Sequence, residues 1–253
     1  LKNTKKFGLD ADRVVDVLLG AILAGVIGAR IYYVAFSWDM YKNNPIDIFK
    51  IWNGGIGIYG GVIAAVLCGY FLCRWRKVRF LPMLDLCSAG LILAQAIGRW
   101  GNFVNVEAFG CATTMPWRMT SEYAGGIGST MVERYLSTLT QEQVEAMGGM
   151  EAIGVHPTFF YESIWCFLGF FLLMWMTKRR KFDGQLILLY TMWYGAERFV
   201  VEGLRTDSLM AGNLRVSQVF GILSAVAALI TMVVVLHKKK ASNDPEYLKL
   251  YVD

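Results

Sequence analysis

About six apolar runs, each near the length needed to cross a bilayer, constrain this chain more than any other feature. They cover residues 14–36, 56–73, 83–97, 158–176, 185–201 and 216–236. Roughly 20 apolar residues in a helix span the ~30 Å hydrocarbon core. The third run is short and gains weight from Arg99 and Asn102, which follow it directly. Backbone in lipid must satisfy its own hydrogen bonds, so all six read as helices. The expected fold is an all-α polytopic integral membrane protein. It forms one transmembrane domain over residues 1–253, with an outer-face loop or cap at 99–157. Composition agrees: 55% of residues are hydrophobic and 18% charged, and mean hydropathy is +0.42. A soluble domain carries about 25% charged residues. So many apolar residues also exclude disorder.

The distribution of charge sets the expected orientation. Lys2, Lys5 and Lys6 precede the first run, and Arg74, Arg76, Lys77 and Arg79 follow the second. Lys178, Arg179, Arg180 and Lys181 follow the fourth, and Lys238, Lys239 and Lys240 the sixth. With the first cluster in the cytoplasm, six spans return every other cluster to that side, and the C-terminus with it. These clusters are explained as anchors against anionic lipid. They lie between apolar runs rather than on one face, which argues against a nucleic-acid partner despite a net charge of +5. Five cysteines form no CxxC pair and read as small hydrophobes in helices. Two histidines, His156 and His237, cannot assemble a His-rich metal site, and no cofactor is expected. Residues 1–13 are polar and basic, unlike a cleavable signal sequence. The long outer loop predicts an amphipathic helix around 131–147, and no internal repeat of the transporter kind is visible. The tail beyond Lys240 reads as a solvated cytoplasmic end.

Ionisable groups at or within spans are costly and are candidates for function. The run Gly98–Gly110 gathers Arg99, Asn102, Asn105 and Glu107 at the outer end of the third span. Arg99 offers a planar fork for a phosphate or carboxylate; alternatively it forms a structural Arg–Glu pair. Tyr194, Arg198, Glu202 and Arg205, spaced four, four and three apart, fall on one face of the fifth span. They form an ion-pair ladder, or leave one Arg over for an anion. Asn53 to Gly61 carries glycines around Tyr59 at the start of the second span, for helix packing or a re-entrant turn. His156 precedes Pro157-Thr158-Phe159-Phe160-Tyr161-Glu162 at the start of the fourth, as an acid, a base, a hydrogen-bond orienter or a structural cap. Asp85 and Arg30 are lone charges in spans, each expected to find a structural partner. All the outer candidates lie at one membrane level, which points to a site holding an anion near the outer lipid headgroups. From the residues alone, the reaction stays unspecified.

At these positions the chain resembles the bacterial phosphatidylglycerol–prolipoprotein diacylglyceryl transferases. Gly98 to Gly110 matches that family's signature, Gly-Arg-x-Gly-Asn-Phe-x-Asn-x-Glu-x-x-Gly, at every fixed position. The likeness extends through Gly28-Ala29-Arg30, Gly60-Gly61, Pro116-Trp117, His156-Pro157-Thr158 with Tyr161-Glu162, and Tyr194-Gly195 with Arg198-Phe199, Glu202 and Arg205. The family usually has one more helix ahead of the basic start, for seven spans. It often has His where this chain has Tyr59, so a His-centred base is not available there.

The resemblance implies transfer of the diacylglyceryl group of phosphatidylglycerol to the lipobox cysteine of a prolipoprotein signal peptide. A thioether forms and glycerol 1-phosphate leaves, in the bacterial cytoplasmic (inner) membrane with the site towards the outer leaflet. Displacement at carbon asks the site to neutralise the leaving phosphate, to orient or deprotonate a thiol, and to align both. Arg99 and Arg198 are then the headgroup clamp, with Arg205 also suited to the phosphate. Asn102 and Glu107 become headgroup and Arg-orienting residues, and Tyr59 a hydrogen-bonding group. The catalytic set is Arg99, Arg198, Tyr59 and Glu107. Phosphatidylglycerol contacts fall to Arg99, Asn102, Glu107, Tyr194, Arg198, Glu202, Arg205 and His156. Two other classes remain open: a lipid or anion transporter lined by these arginines, and a scaffold whose Arg–Glu pairs only hold helices together.

Overall fold

Asp10 starts the first long helix. Its carboxylate accepts the Arg13 N–H at 3.0 Å, satisfying one of the open donors of the first turn. A computed structural model describes residues 3–120, 127–146, 148, 153–205, 210–211 and 214–241. The chain falls into two compact units, residues 1–86 and 87–253.

In the first unit, a 3-10 turn at Thr4–Phe7 leads into α1 (Ala11–Phe36), followed by the short α2 (Trp38–Tyr41). Two further 3-10 turns, Pro45–Phe49 and Ile51–Asn53, precede α3 (Ile58–Arg76). Helices α1 and α3 touch backbone to backbone. A Cβ on Gly28 would run into Ala64 and the Gly60 carbonyl, and one on Gly60 into the Gly28 carbonyl. Lipid offers helices little hydrophobic drive to associate, so such close approach supplies the packing. Arg30 is buried at this seam. It donates to the carbonyls of Asp47, Ile48, Lys50, Gly54 and Gly55, at 2.6 to 3.4 Å. One guanidinium thus satisfies the loop that leads to Tyr59. The structural partner expected for Arg30 is this row of carbonyls.

The unit boundary falls inside α4 (Phe80–Val104), whose Arg99 end belongs to the second unit. Strands β1 (Ala112–Thr113) and β2 (Met119–Thr120) follow, then α5 (Ile127–Leu136), α6 (Gln141–Ala146) and β3 (Gly154–Val155). Strand β3 lies between β1 and β2, antiparallel to both. Phe109, Met131, Val132, Tyr135, Ile153 and Val155 form a buried cluster, so this segment has a small core of its own. Helices α7 (Thr158–Thr177) and α8 (Gln185–Leu204) are pinned reciprocally by two indoles. Trp165 Nε1 donates to the Trp193 carbonyl at 3.1 Å, and Trp193 Nε1 returns the bond to Trp165 at 2.9 Å. After β4 (Met210–Ala211) and β5 (Leu214–Arg215), α9 (Val216–Ala241) packs on α8, where Gly195 meets the Gly221 carbonyl.

Six helices thus occupy the six apolar runs. Five of them are long and apolar enough to cross a membrane: α1, α3, α4, α7 and the Val216–Lys238 part of α9. Glu197, Arg198 and Glu202 keep α8 below that composition. Leu23, Phe71, Phe171 and Leu223 are all more than half exposed, as lipid-facing side chains are. The chain is an all-α multi-pass membrane protein. Two expected boundaries differ. Helix α4 runs through Arg99 and Asn102 to Val104, because Trp100, Phe103 and Val104 continue its apolar pattern. The helix expected around 131–147 is instead two, α5 and α6, separated at residues 137–140. Met147 and the tail from residue 242 lie outside the described residues.

Candidate active site

Three helices of the second unit bring four charges together. Arg99 on α4 places Nε 2.8 Å from Glu162 Oε2 on α7, a charge contact without hydrogen-bond alignment. Arg198 on α8 donates from Nη1 to Glu162 Oε1 at 3.2 Å and from Nη2 to Glu202 Oε2. Glu162, 1% exposed, is therefore the keystone of an Arg99–Glu162–Arg198–Glu202 chain. A carboxylate so deeply buried is tolerable only with such partners. The two arginines differ in what they have left. Arg198 gives each terminal nitrogen to a carboxylate. Arg99 has no protein partner for either of its terminal nitrogens among the described residues. A planar fork of N–H groups, charge-paired at its Nε side and open at its end, suits an anion with two adjacent oxygens.

A turn deeper on α7, Cys166 donates its thiol hydrogen to Glu197 Oε2 at 3.3 Å. Glu197 is 1% exposed, and its Oε1 has no hydrogen-bond partner among the described residues. Arg99, Arg198 and Glu162 are its charged neighbours. The Tyr194 and Tyr190 rings lie parallel, with centres 6.0 Å apart. Gln95 donates to the Tyr190 hydroxyl at 2.9 Å.

The end of the signature run is shaped by its backbone. Val106 and Ala108 adopt left-handed φ values of 55° and 57°, which reverses the chain after α4. Glu107 is exposed and accepts from Asn102 Nδ2 at 2.9 Å and Asn105 Nδ2 at 3.3 Å. Gly110 then donates its N–H to the His156 carbonyl at 3.0 Å, while His156 donates to Cys111 O at 3.1 Å. Cys111 N donates to Leu204 O at 2.8 Å at the end of α8. A Cβ on Gly110 would collide with the His156 Cβ and press on Thr158 Cγ2. The last glycine of the signature is the point where three segments touch. Burial lowers the His156 pKa below its ordinary value.

Several expected assignments shift. Glu107 orients Asn102 and Asn105 rather than an Arg; Glu162 does that work for Arg99. Arg205 leaves the stripe of Tyr194, Arg198 and Glu202, because α8 ends at Leu204 and Arg205 is extended, bridging to Gly110. Tyr59 belongs to the first unit, in the opening turn of α3, with a half-exposed ring. Three groups escaped assignment: Glu162, Glu197, and Arg215, which donates from Nη1 to the Glu202 and Arg205 carbonyls. Glu162 and Glu197 carried a legible signal, a carboxylate inside an apolar run. Arg215 carried none. Among the described residues no group of His, Cys, Asp and Glu is placed to hold a metal ion.

A family model described as prolipoprotein diacylglyceryl transferase matches residues 1–234. Curated relatives include the phosphatidylglycerol–prolipoprotein diacylglyceryl transferase of Listeria welshimeri, 40% identical over 98% of this chain and 83% of that protein. The protein of the same name from Finegoldia magna is 41% identical over 92% of this chain and 83% of its own. That from Clostridioides difficile is 39% identical over 97% and 87%. With the match running through the Arg99 signature, Glu162 and the Arg198 helix alike, the chain belongs to the prolipoprotein diacylglyceryl transferase family.

Proposed function

We infer that this chain carries out the reaction its family is named for, moving the diacylglyceryl group of phosphatidylglycerol onto a prolipoprotein. The acceptor is the lipobox cysteine of the signal peptide. Its thiolate sulfur attacks the glyceryl carbon that bears the phosphate ester. The C–O bond breaks, its electron pair leaves with the phosphate oxygen, and glycerol 1-phosphate departs. The observation that carries this reading is the Arg99 fork, held at Nε by a buried carboxylate and open at both terminal nitrogens. Charge grows on the departing phosphate, and a preorganised guanidinium stabilises that charge more than the ground state.

In this reading Arg198 supports Arg99 through Glu162 and keeps its own Nε for the headgroup. Glu202 fixes Arg198 from the other side. Asn102, Tyr194, Arg205 and His156 contact the headgroup, and Glu107 sets the Asn102 amide. A few per cent of a free thiol is already ionised at neutral pH, and a nearby guanidinium raises that share. Four basic clusters on one side of the threaded spans support a site facing the outer leaflet of the bacterial inner membrane, with a cytoplasmic C-terminus.

The test is a purified preparation in phosphatidylglycerol vesicles with a synthetic lipobox peptide. A diacylglyceryl mass gain on the cysteine supports transfer. Lipid movement between leaflets with the peptide unchanged would overturn it in favour of transport. Arg198→Lys separates the scaffold reading, which expects normal behaviour where charge alone suffices. The transfer reading expects a folded, crippled protein.

A further inference from the structure

His156 follows β3 directly, and its ring nitrogen Nδ1 lies 3.2 Å from the Tyr161 hydroxyl. That same hydroxyl accepts from Trp117 Nε1 at 2.7 Å. An indole N–H can only donate, so it takes one lone pair of the phenol oxygen. The phenol has a single hydrogen, and His156 Nδ1 is the acceptor within its reach among the described residues. The opposite sense would direct two donors at one phenol oxygen and leave the phenol hydrogen without a protein acceptor. The chain of bonds therefore runs from Trp117 N–H to Tyr161 O–H to His156 Nδ1. With Nδ1 accepting, the hydrogen of the neutral imidazole sits on Nε2.

Both ends of this relay are fixed by backbone. Trp117 stands in the turn between β1 and β2, flanking β3. Its neighbour Arg118 lays its side chain over Gly154, where any Cβ would collide with it. His156 is held by its backbone bonds with Gly110 and Cys111. Tyr161 directly precedes Glu162, so relay and charge chain share one turn of α7. Burial disfavours the imidazolium. Nε2 makes no hydrogen bond to the protein among the described residues.

We propose that Trp117 and Tyr161 are positioning residues that lock His156 as a neutral Nε2–H donor for an anionic phosphate oxygen of the lipid substrate. The identity of that oxygen rests on the transferase reading above; the locked tautomer does not. It follows that His156 is not the base for the thiol, since one nitrogen is occupied and the other already carries hydrogen.

With two histidines in the chain, ¹⁵N-histidine labelling of the full protein in nanodiscs reads the tautomer directly. His156 is expected in the Nε2–H form. Tyr161→Phe should release His156 into a mixture, and Trp117→Phe should do so in part. A wild-type spectrum with hydrogen on Nδ1, or one unaltered in Tyr161→Phe, overturns the relay. For the donor role, Gln carries its amide N–H near the Nε2 position and Asn near Nδ1. His156→Gln should keep transfer within about tenfold of wild type, and His156→Asn should lose about a hundredfold, the scale of a stranded charged hydrogen bond. Equal activity in both variants overturns the donor role. Wild-type protein that shows the locked tautomer and no transfer would count against the enzyme reading and leave the relay standing.

Discussion

Arg99 meets Glu162 at 2.8 Å through Nε alone, and both of its terminal nitrogens lack a protein partner among the described residues. The pairing neutralises the guanidinium without using up its fork. A buried arginine serving only to hold helices together would be expected to place its terminal nitrogens too, as Arg30 does on the carbonyls of the 47–55 loop.

Arg99→Lys tests the fork. An ammonium can hold Glu162 or reach a phosphate, but not both in a planar, two-pronged way. Transfer should fall by about 10² to 10³, the cost of losing one preorganised donor at a developing oxyanion, while circular dichroism stays that of the folded protein. Normal turnover would reduce Arg99 to a charge.

Glu162 and Glu107 should part company in stability measurements. Removing Glu162 leaves Arg99 and Arg198 short of a buried counter-charge, so Glu162→Ala should cost about 3–5 kcal/mol. Glu107 is exposed and bound only to two amides. Glu107→Ala should cost about 1 kcal/mol or less. Denaturation in the same detergent decides between them, and equal losses would contradict the keystone role.

Arg30→Met should loosen the loop that precedes Tyr59 while leaving the helices intact. Five carbonyls lose the Arg30 guanidinium, although Asp47 O keeps the Lys50 N–H and Lys50 O the Asn53 N–H, and a charged hydrogen bond is worth about 1.5–3 kcal/mol. The readout is faster amide exchange and protease cleavage confined to residues 42–57. Unchanged exchange there would mean that the loop is held by something else.

His156 gives a pH signature. Its pKa is lowered in the folded protein, so the unfolded chain binds its proton more readily. Stability should therefore fall as pH drops below the ordinary imidazole range and the unfolded chain takes up that proton, while at pH 8 the contribution is fully present. In His156→Gln, the loss of melting temperature between pH 7.5 and 5.5 should be smaller than in wild type. An identical loss would assign the acid sensitivity to other groups.

The helices were legible because apolar length is a local property, and so was the Arg99 signature. The partnerships were not. Arg99 and Glu162 lie on different helices, and nothing in the spacing of either says that they meet. Glu197 sits beside Arg198 yet a third of a turn off its stripe, so a reading by fours passed over it. Spacing alone extends that stripe to Arg205, but α8 ends one residue earlier. The bond between Gly110 and His156 joins positions 46 residues apart, and only the collision awaiting a Cβ on Gly110 explains why that position is glycine.

The most direct measurement follows both products together: thioether on a lipobox peptide and glycerol 1-phosphate in solution, from phosphatidylglycerol vesicles with wild type and Arg99→Gln. Wild type should yield equal amounts of the two, and a folded Arg99→Gln neither. Peptide modification without glycerol 1-phosphate, or full turnover in Arg99→Gln, would contradict it.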